Sequence, residues 1–169
     1  KLYKLSDKLN VKKFIFFSSI SFQVKNGFSS EVISEKSKIY FESLYSYSKY
    51  KSEEEIKNLS KNLNTKFICL RPAVVYGKNP PGNFGKLSFL LKSRFYLPLN
   101  NISNKRSILS IINLVSLTEE CCLNEKADNE TFVISDDEII STTSLVKKIT
   151  RYANLNEKIF TLPIIFFNF

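Results

Sequence analysis

The sequence has no histidine, methionine or tryptophan, and only three cysteines and four glycines among its 169 residues. Without imidazole, a metal centre would have to rest on thiolates and carboxylates. Cys69 sits inside an apolar, strand-like run, while Cys121 and Cys122 are adjacent in a helical pattern. That spacing fits neither a disulfide framework nor a zinc site, so the expectation is reduced core thiols and no metal. No apolar run approaches the roughly 18 residues a spanning helix needs, so a soluble chain without a membrane span is expected. The formal net charge is +9, but the lysines are scattered and no stripe of arginines alternates with aromatics. This is the pattern of a solvated surface and not of a nucleic-acid binder. The first residue is Lys and the last eight are mostly apolar. The chain reads as a fragment cut at both ends, which leaves open whether a targeting segment preceded Lys1.

What is present suits one core. Hydrophobic residues make up 43% of the chain and aromatics 14%, enough for one domain or part of one. Lys1 to Asn10 reads as the last turns of a helix. Phe14-Ile15-Phe16-Phe17 is a short continuous apolar run, suited to a strand buried on both faces of a parallel sheet. It ends in Ser18-Ser19, where hydroxyls either meet a ligand at the carboxyl end of an open α/β sheet or merely cap and turn the chain. Residues 21 to 44 lack periodicity and read as a loop with a short helical turn. Lys66 to Arg71 is a second buried strand stopped by Pro72, and 79–82 is a proline turn. Helical spacing covers Asn83 to Arg94 and Asn113 to Cys122. Phe95 to Leu99 reads as extended and Asn100 to Lys105 as a turn. Arg106 to Ile111 and Thr131 to Ile134 read as strands, and Ser141 caps a helix to about Tyr152. Strands alternating with helices predict an α/β fold with a parallel sheet.

The chain is organised around Tyr45-Ser46-Tyr47-Ser48-Lys49-Tyr50-Lys51, which opens a helix with two Tyr/Lys pairs at four-residue spacing, Tyr45/Lys49 and Tyr47/Lys51. At about 100° per residue, Ile56, Leu59 and Leu63 mark an apolar stripe, with Tyr45, Lys49 and Ser52 within roughly 50° of its centre. Tyr47, Lys51, Lys57 and Lys61 fall on the far side. A phenol is a poor proton acceptor at neutral pH until something stabilises its anion. A lysine ammonium one turn away would do so.

These segments together resemble the extended short-chain dehydrogenase/reductase superfamily, in particular the NAD-dependent epimerase/dehydratase family acting on nucleotide sugars. Ser18-Ser19 looks like the strand end that delivers the active-site hydroxyl, with Ser19 the better match. Tyr45 and Lys49, followed by Glu53, look like the catalytic tyrosine helix. Arg71-Pro72-Ala73-Val74-Val75-Tyr76-Gly77 is similar to the segment beside the nicotinamide. Gly82-Asn83-Phe84, Leu97-Pro98-Leu99 and Asn104-Lys105-Arg106-Ser107 resemble nucleotide-sugar contacts. Arg106, which read alone could be a surface charge at a strand end, would sit near the diphosphate with Asn83. Ser135-Asp136 with Ser141-Thr142 resembles the bacterial polysaccharide branch.

The resemblance implies the C-terminal part of a Rossmann-type doubly wound parallel sheet, mainly 11–77 and 131–135. Part of a small substrate-binding subdomain would occupy mainly 78–112 and 136–169. The implied catalytic residues are Tyr45, Lys49 and Ser19. NAD, or alternatively NADP, would be held by Tyr45, Lys49, Pro72 and Ser18, and a UDP-sugar by Ser19, Asn83, Pro98 and Arg106. A homodimer is compatible with the family. Tyr45 would take the proton of the sugar 4-hydroxyl as hydride leaves C4, Lys49 would hold the nicotinamide ribose, and Ser19 would bond the reacting oxygen. The implied activity is a UDP-hexose 4-epimerase making cell-surface polysaccharide precursors. The alternatives are a 4-ketoreductase and a non-catalytic cofactor-binding scaffold. A dehydratase fits less well, because Ser19 is followed by Ile20-Ser21 where that branch carries an Asp-Glu pair. The family's glycine-rich phosphate loop has no counterpart in this sequence, so the fragment alone is expected to be inactive. Ser46 stands where relatives often carry glycine.

Overall fold

The computed structural model describes residues 1–25, 32–78, 82–93, 95–100 and 102–161, with the side chains of 82 and 83 outside that description. The proline turn read at 79–82 therefore falls mostly outside it. Two compact units form, one from 1–74 with 109–136 and one from 75–108 with 137–169. Residues 109–112, read from sequence with the substrate part, thus cluster with the first unit.

In the first unit, α1 (Leu2–Lys8) precedes β1 (Lys13–Phe17), a 3-10 turn (Ile20–Phe22), α2 (Leu44–Ser60) and β2 (Lys66–Pro72). The helix α4 (Ile111–Leu123) and strand β5 (Glu130–Ile134) complete it. β1, β2 and β5 form a parallel sheet with β2 in the centre, the α/β arrangement the alternation predicts. The run Phe14 to Phe17 was expected to be buried on both faces, but β1 is only half-buried and Phe17 is exposed. β1 stands at the edge of the three strands, whereas β2, flanked on both sides, is buried from Phe67 to Arg71. Cys69 lies in that strand, and desolvation pushes its thiol up to about 12, which leaves it inert. Cys121 is buried too, but Cys122 is exposed, so the expectation of three core thiols fails at that position. On an amphipathic helix the next residue along turns about 100° away.

The core under α2 gathers Tyr3, Ile56, Phe67 and Cys69, with Phe14, Phe16, Leu59 and Leu63 packed against it. Tyr3 also donates its hydroxyl to the Thr65 carbonyl at 2.6 Å, which pins α1 to the start of β2. At the start of β1, Lys13 gathers the end of α4. Its ammonium donates to the carbonyls of Cys121 at 3.1 Å and Asn124 at 2.8 Å and pairs with Asp128 at 2.8 Å. A cation here satisfies carbonyls that a helix end leaves unpaired. Lys13→Met keeps the stem but removes three charge-assisted contacts. It is expected to lower the urea-unfolding free energy by about 2 kcal/mol, seen as a lower midpoint at unchanged slope.

The second unit carries β3 (Val74–Tyr76), β4 (Arg106–Ser110) and β6 (Ile139–Ile140) in that sheet order, β4 and β6 antiparallel, with α3 (Gly82–Lys92) and α5 (Thr142–Tyr152). β3 begins at Val74 and β4 ends at Ser110, so both strands run across the boundaries of the units. Ser141 caps α5, its Oγ accepting from the Ser144 amide at 3.0 Å.

Candidate active site

The first turn of α2 is set by its cap. Ser43 Oγ accepts from the Ser46 amide at 3.1 Å while Ser46 Oγ accepts from the Ser43 amide at 3.2 Å. This reciprocal box holds the helix start. It gives the hydroxyl at 46 a structural job.

Lys49 reaches the end of β1. Its ammonium donates to the Phe17 carbonyl at 2.8 Å and lies 5.0 Å from the Phe16 ring centre and 5.7 Å from the Tyr45 ring centre. Lys51, of the competing register, turns instead to Glu54 at 2.8 Å. Tyr47 packs edge-on against Phe41 with ring centres 5.3 Å apart. Tyr50 donates to Glu54 Oε1 at 2.6 Å, which pushes its phenol up and disfavours its anion.

Tyr45 is 55% exposed, contrary to the inward position its helical angle predicts. The buried residues of α2 are Ser46, Glu53 and Ile56, and these centre roughly 70° round the helix from the stripe that Ile56, Leu59 and Leu63 mark. Lys49 lies within that buried sector and Tyr45 at its margin. Axial position adds to the effect, since Tyr45 stands about 6 Å further along the axis than Lys49, and Lys49 already bonds the last residue of β1. The phenol therefore projects past the strand ends.

Ser18 and Ser19 divide the two readings of the strand-end hydroxyls. Ser18 is buried, its amide donating to the Leu70 carbonyl at 2.7 Å, while its Oγ is buried without a hydrogen-bond partner. Ser19 caps the 3-10 turn, its Oγ accepting from the Ser21 amide at 3.1 Å. That bond leaves the hydroxyl proton of Ser19 available to donate. Pro72 ends β2 at the same side of the sheet, opposite Ile134. Thus Tyr45, Lys49, Ser18, Ser19 and Pro72 all belong to the first unit, at the carboxyl ends of parallel strands where open α/β sheets bind ligands.

Four charged or polar residues hold this end together, and two of them, Glu35 and Gln23, carry no weight in the sequence reading. Arg71 donates Nε to Glu53 Oε1 at 2.9 Å and a terminal nitrogen to Oε2 at 2.6 Å. Its other terminal nitrogen donates to the Glu35 carbonyl at 3.1 Å, and its guanidinium carbon lies 4.8 Å from the Phe22 ring centre. Glu35 in turn accepts from the Val133 amide at 2.8 Å, and that bond holds its carboxyl below the usual carboxylate range. Gln23 donates to the carbonyls of Ser34 at 2.7 Å and Ser37 at 3.3 Å. The stretch 32–41, which lacks periodicity, is thereby fastened to β2, β5 and the 3-10 turn.

Of the expected substrate contacts, Pro98 and Arg106 lie in the second unit, and the side chain of Asn83 lies outside the described residues. Arg106 is exposed at the start of β4, opposite Ile140. Pro98 sits in a segment paired with 158–160, the Leu97 amide donating to the Lys158 carbonyl at 2.8 Å. Asn104 caps α5 by accepting from the Thr142 amide at 2.8 Å, and Thr143 Oγ1 donates to the Leu99 carbonyl at 2.8 Å. In the first unit, Asp136 accepts from the Ser110 amide at 2.9 Å and Asn113 Nδ2 at 2.8 Å, at the start of α4.

The model of the NAD dependent epimerase/dehydratase family matches residues 1–114. The chain belongs to that family. A UDP-glucose 4-epimerase of Vibrio cholerae is 34% identical over 140 residues, covering 82% of this chain and 43% of that protein. The UDP-glucose 4-epimerase of Thermotoga maritima, solved with UDP-glucose, superposes with a TM-score of 0.76 at 23% identity, over 96% of this chain and 54% of that one. The UDP-glucuronic acid 4-epimerase of Bacillus cereus, solved with NAD, gives a TM-score of 0.78 at 19% identity, over 95% of this chain and 53% of that one. These likenesses establish the Rossmann-type fold, and the chain spans about half the length of the proteins it matches. NAD is the cofactor of this epimerase/dehydratase family, whose members act on nucleotide sugars. The residues present suit it: an ammonium has three donors, of which Lys49 gives one to Phe17, and the buried Ser18 Oγ awaits a polar partner. Among the described residues, no cluster of His, Cys, Asp and Glu could hold a metal, and no helix is long and apolar enough to cross a membrane.

Proposed function

We propose that the full-length protein is a cytoplasmic NAD-dependent 4-epimerase of a UDP-hexose, supplying precursors of cell-surface polysaccharide. The observation that carries this reading is the Lys49 ammonium, bonded to the Phe17 carbonyl at the end of β1 and 5.7 Å from the Tyr45 ring centre, on the strand that continues into the unpartnered Ser18 hydroxyl. NAD, when bound, supplies a reversible hydride acceptor for the sugar C4. Tyr45 accepts the proton of the 4-hydroxyl and returns it after the keto sugar has turned over. Lys49 places a positive charge beside the phenol as negative charge develops on it and offers its remaining donors to the nicotinamide ribose. Ser19 donates its hydroxyl proton to the reacting oxygen, while Ser18 and Pro72 line the cofactor side. Arg106 and Asn83 meet the diphosphate, where a guanidinium fork gives paired, charge-assisted bonds. After Ser19 the chain runs into the Ile20–Phe22 turn, so no acid/base pair for dehydration follows it.

The test is turnover of UDP-glucose and UDP-N-acetylglucosamine by the full-length protein, read as appearance of the 4-epimer. Epimer formed without added reductant is the expected result. Turnover that requires a 4-keto sugar and external NADH would instead assign a ketoreductase, and cofactor binding without any turnover would assign a scaffold.

A further inference from the structure

We propose that the buried Glu53–Arg71 pair is a positioning device that sets the roll of α2 about its own axis, and through it the placement of Tyr45 and Lys49; this rests on the epimerase reading above. Glu53 is 1% exposed and Arg71 5%. Glu53 lies one turn after Lys49, and Arg71 directly follows Leu70, whose carbonyl takes the Ser18 amide at 2.7 Å. The pair therefore fastens α2 to the same strand end that carries the candidate site, one turn below Lys49.

Leu59 packs beside Ile56, and the centre of the Tyr50 ring lies 5.6 Å from that of Phe22, but such contacts do not fix the roll by direction. Ile56 is the only apolar residue among the buried positions of α2, and apolar contact has no direction. A guanidinium bonded to both carboxylate oxygens, at 2.9 and 2.6 Å, is directional. The guanidinium is itself fixed by the Glu35 carbonyl and the Phe22 ring. A roll of about 10° shifts a group some 6 Å from the axis by about 1 Å, and misplacement of that size can cost on the order of 10²-fold in rate. Glu53 and Arg71 touch neither substrate nor cofactor in this account; they act through the helix.

The deciding variant is Glu53→Leu with Arg71→Met, because apolar replacement of a whole buried pair is often neutral for stability. In the full-length protein it is expected to retain an unfolding midpoint near wild type and to lose about 10²-fold in kcat, with KM for the UDP-sugar within about twofold. Arg71→Lys keeps the charge without the fork, and is expected to fold and to lose about tenfold in kcat. A second readout is independent of turnover. The lysine ammonium NMR signal assigned to Lys49 through Lys49→Arg should be distinct in wild type and merge with the bulk lysines in the double variant. A double variant that folds with wild-type kcat and an unchanged Lys49 signal overturns the proposal, and if the double variant does not fold, wild-type kcat in Arg71→Lys does so. An inactive wild-type protein whose Lys49 signal still depends on the pair would instead overturn the epimerase reading alone.

Discussion

Tyr45→Phe is expected to lower kcat for epimerisation by about 10²–10⁴-fold, the range a positioned proton-transfer group contributes, while NAD binding stays near wild type. The substitution removes one oxygen from a side chain that is 55% exposed. Changes at such positions shift stability by only about 0.5 kcal/mol, so lost activity cannot be traced to lost fold. It also leaves in place the hydrogen bond from Lys49 to the Phe17 carbonyl, and with it the ammonium that the cofactor ribose would meet. Tyr47→Phe is the matched control: Tyr47 packs on Phe41, away from that ammonium, and its variant should turn over normally. Unchanged kcat in Tyr45→Phe would remove Tyr45 from the reaction.

The sequence made the long elements readable because their signals are local. The apolar run at Phe14, the strand before Pro72 and the serine cap at Ser141 each declare themselves within a few residues. β3 and β6, at three and two residues, are too short to show any period. Helical angle brought Lys49 inward but carried Tyr45 with it, since a wheel projects away the axial coordinate that takes the phenol past the strand ends. It also placed the apolar stripe by Leu59 and Leu63, which serve the core near α1, whereas the middle of α2 faces Arg71. A wheel that counts only apolar residues is blind to Glu53, the charged residue around which that part of the helix is buried. Glu35 and Gln23 act through backbone groups distant in sequence, and nothing in a loop of polar residues singles them out.

Arg71→Ala is expected to destabilise the protein by about 3–5 kcal/mol, because it strands the Glu53 carboxylate in the interior instead of removing a whole pair. With native stability typically about 5–15 kcal/mol, one substitution would remove a large share of it. Lys57 cannot replace the lost partner, since its ammonium stands 3.7 Å from Glu53 Oε2 on a half-exposed stem and carries no second bond to the loop. The stretch 32–41 would loosen at the same time, having lost the bond from the guanidinium to the Glu35 carbonyl. Chemical denaturation should show the lower midpoint, and hydrogen exchange should show lost protection first in α2 and residues 32–41. Glu53→Ala, with Arg71 left unpaired, should cost a similar amount, and the two losses should be strongly non-additive in the double alanine variant. Additive losses would mean that the charges do not interact and that α2 is held by Ile56 and its neighbours alone.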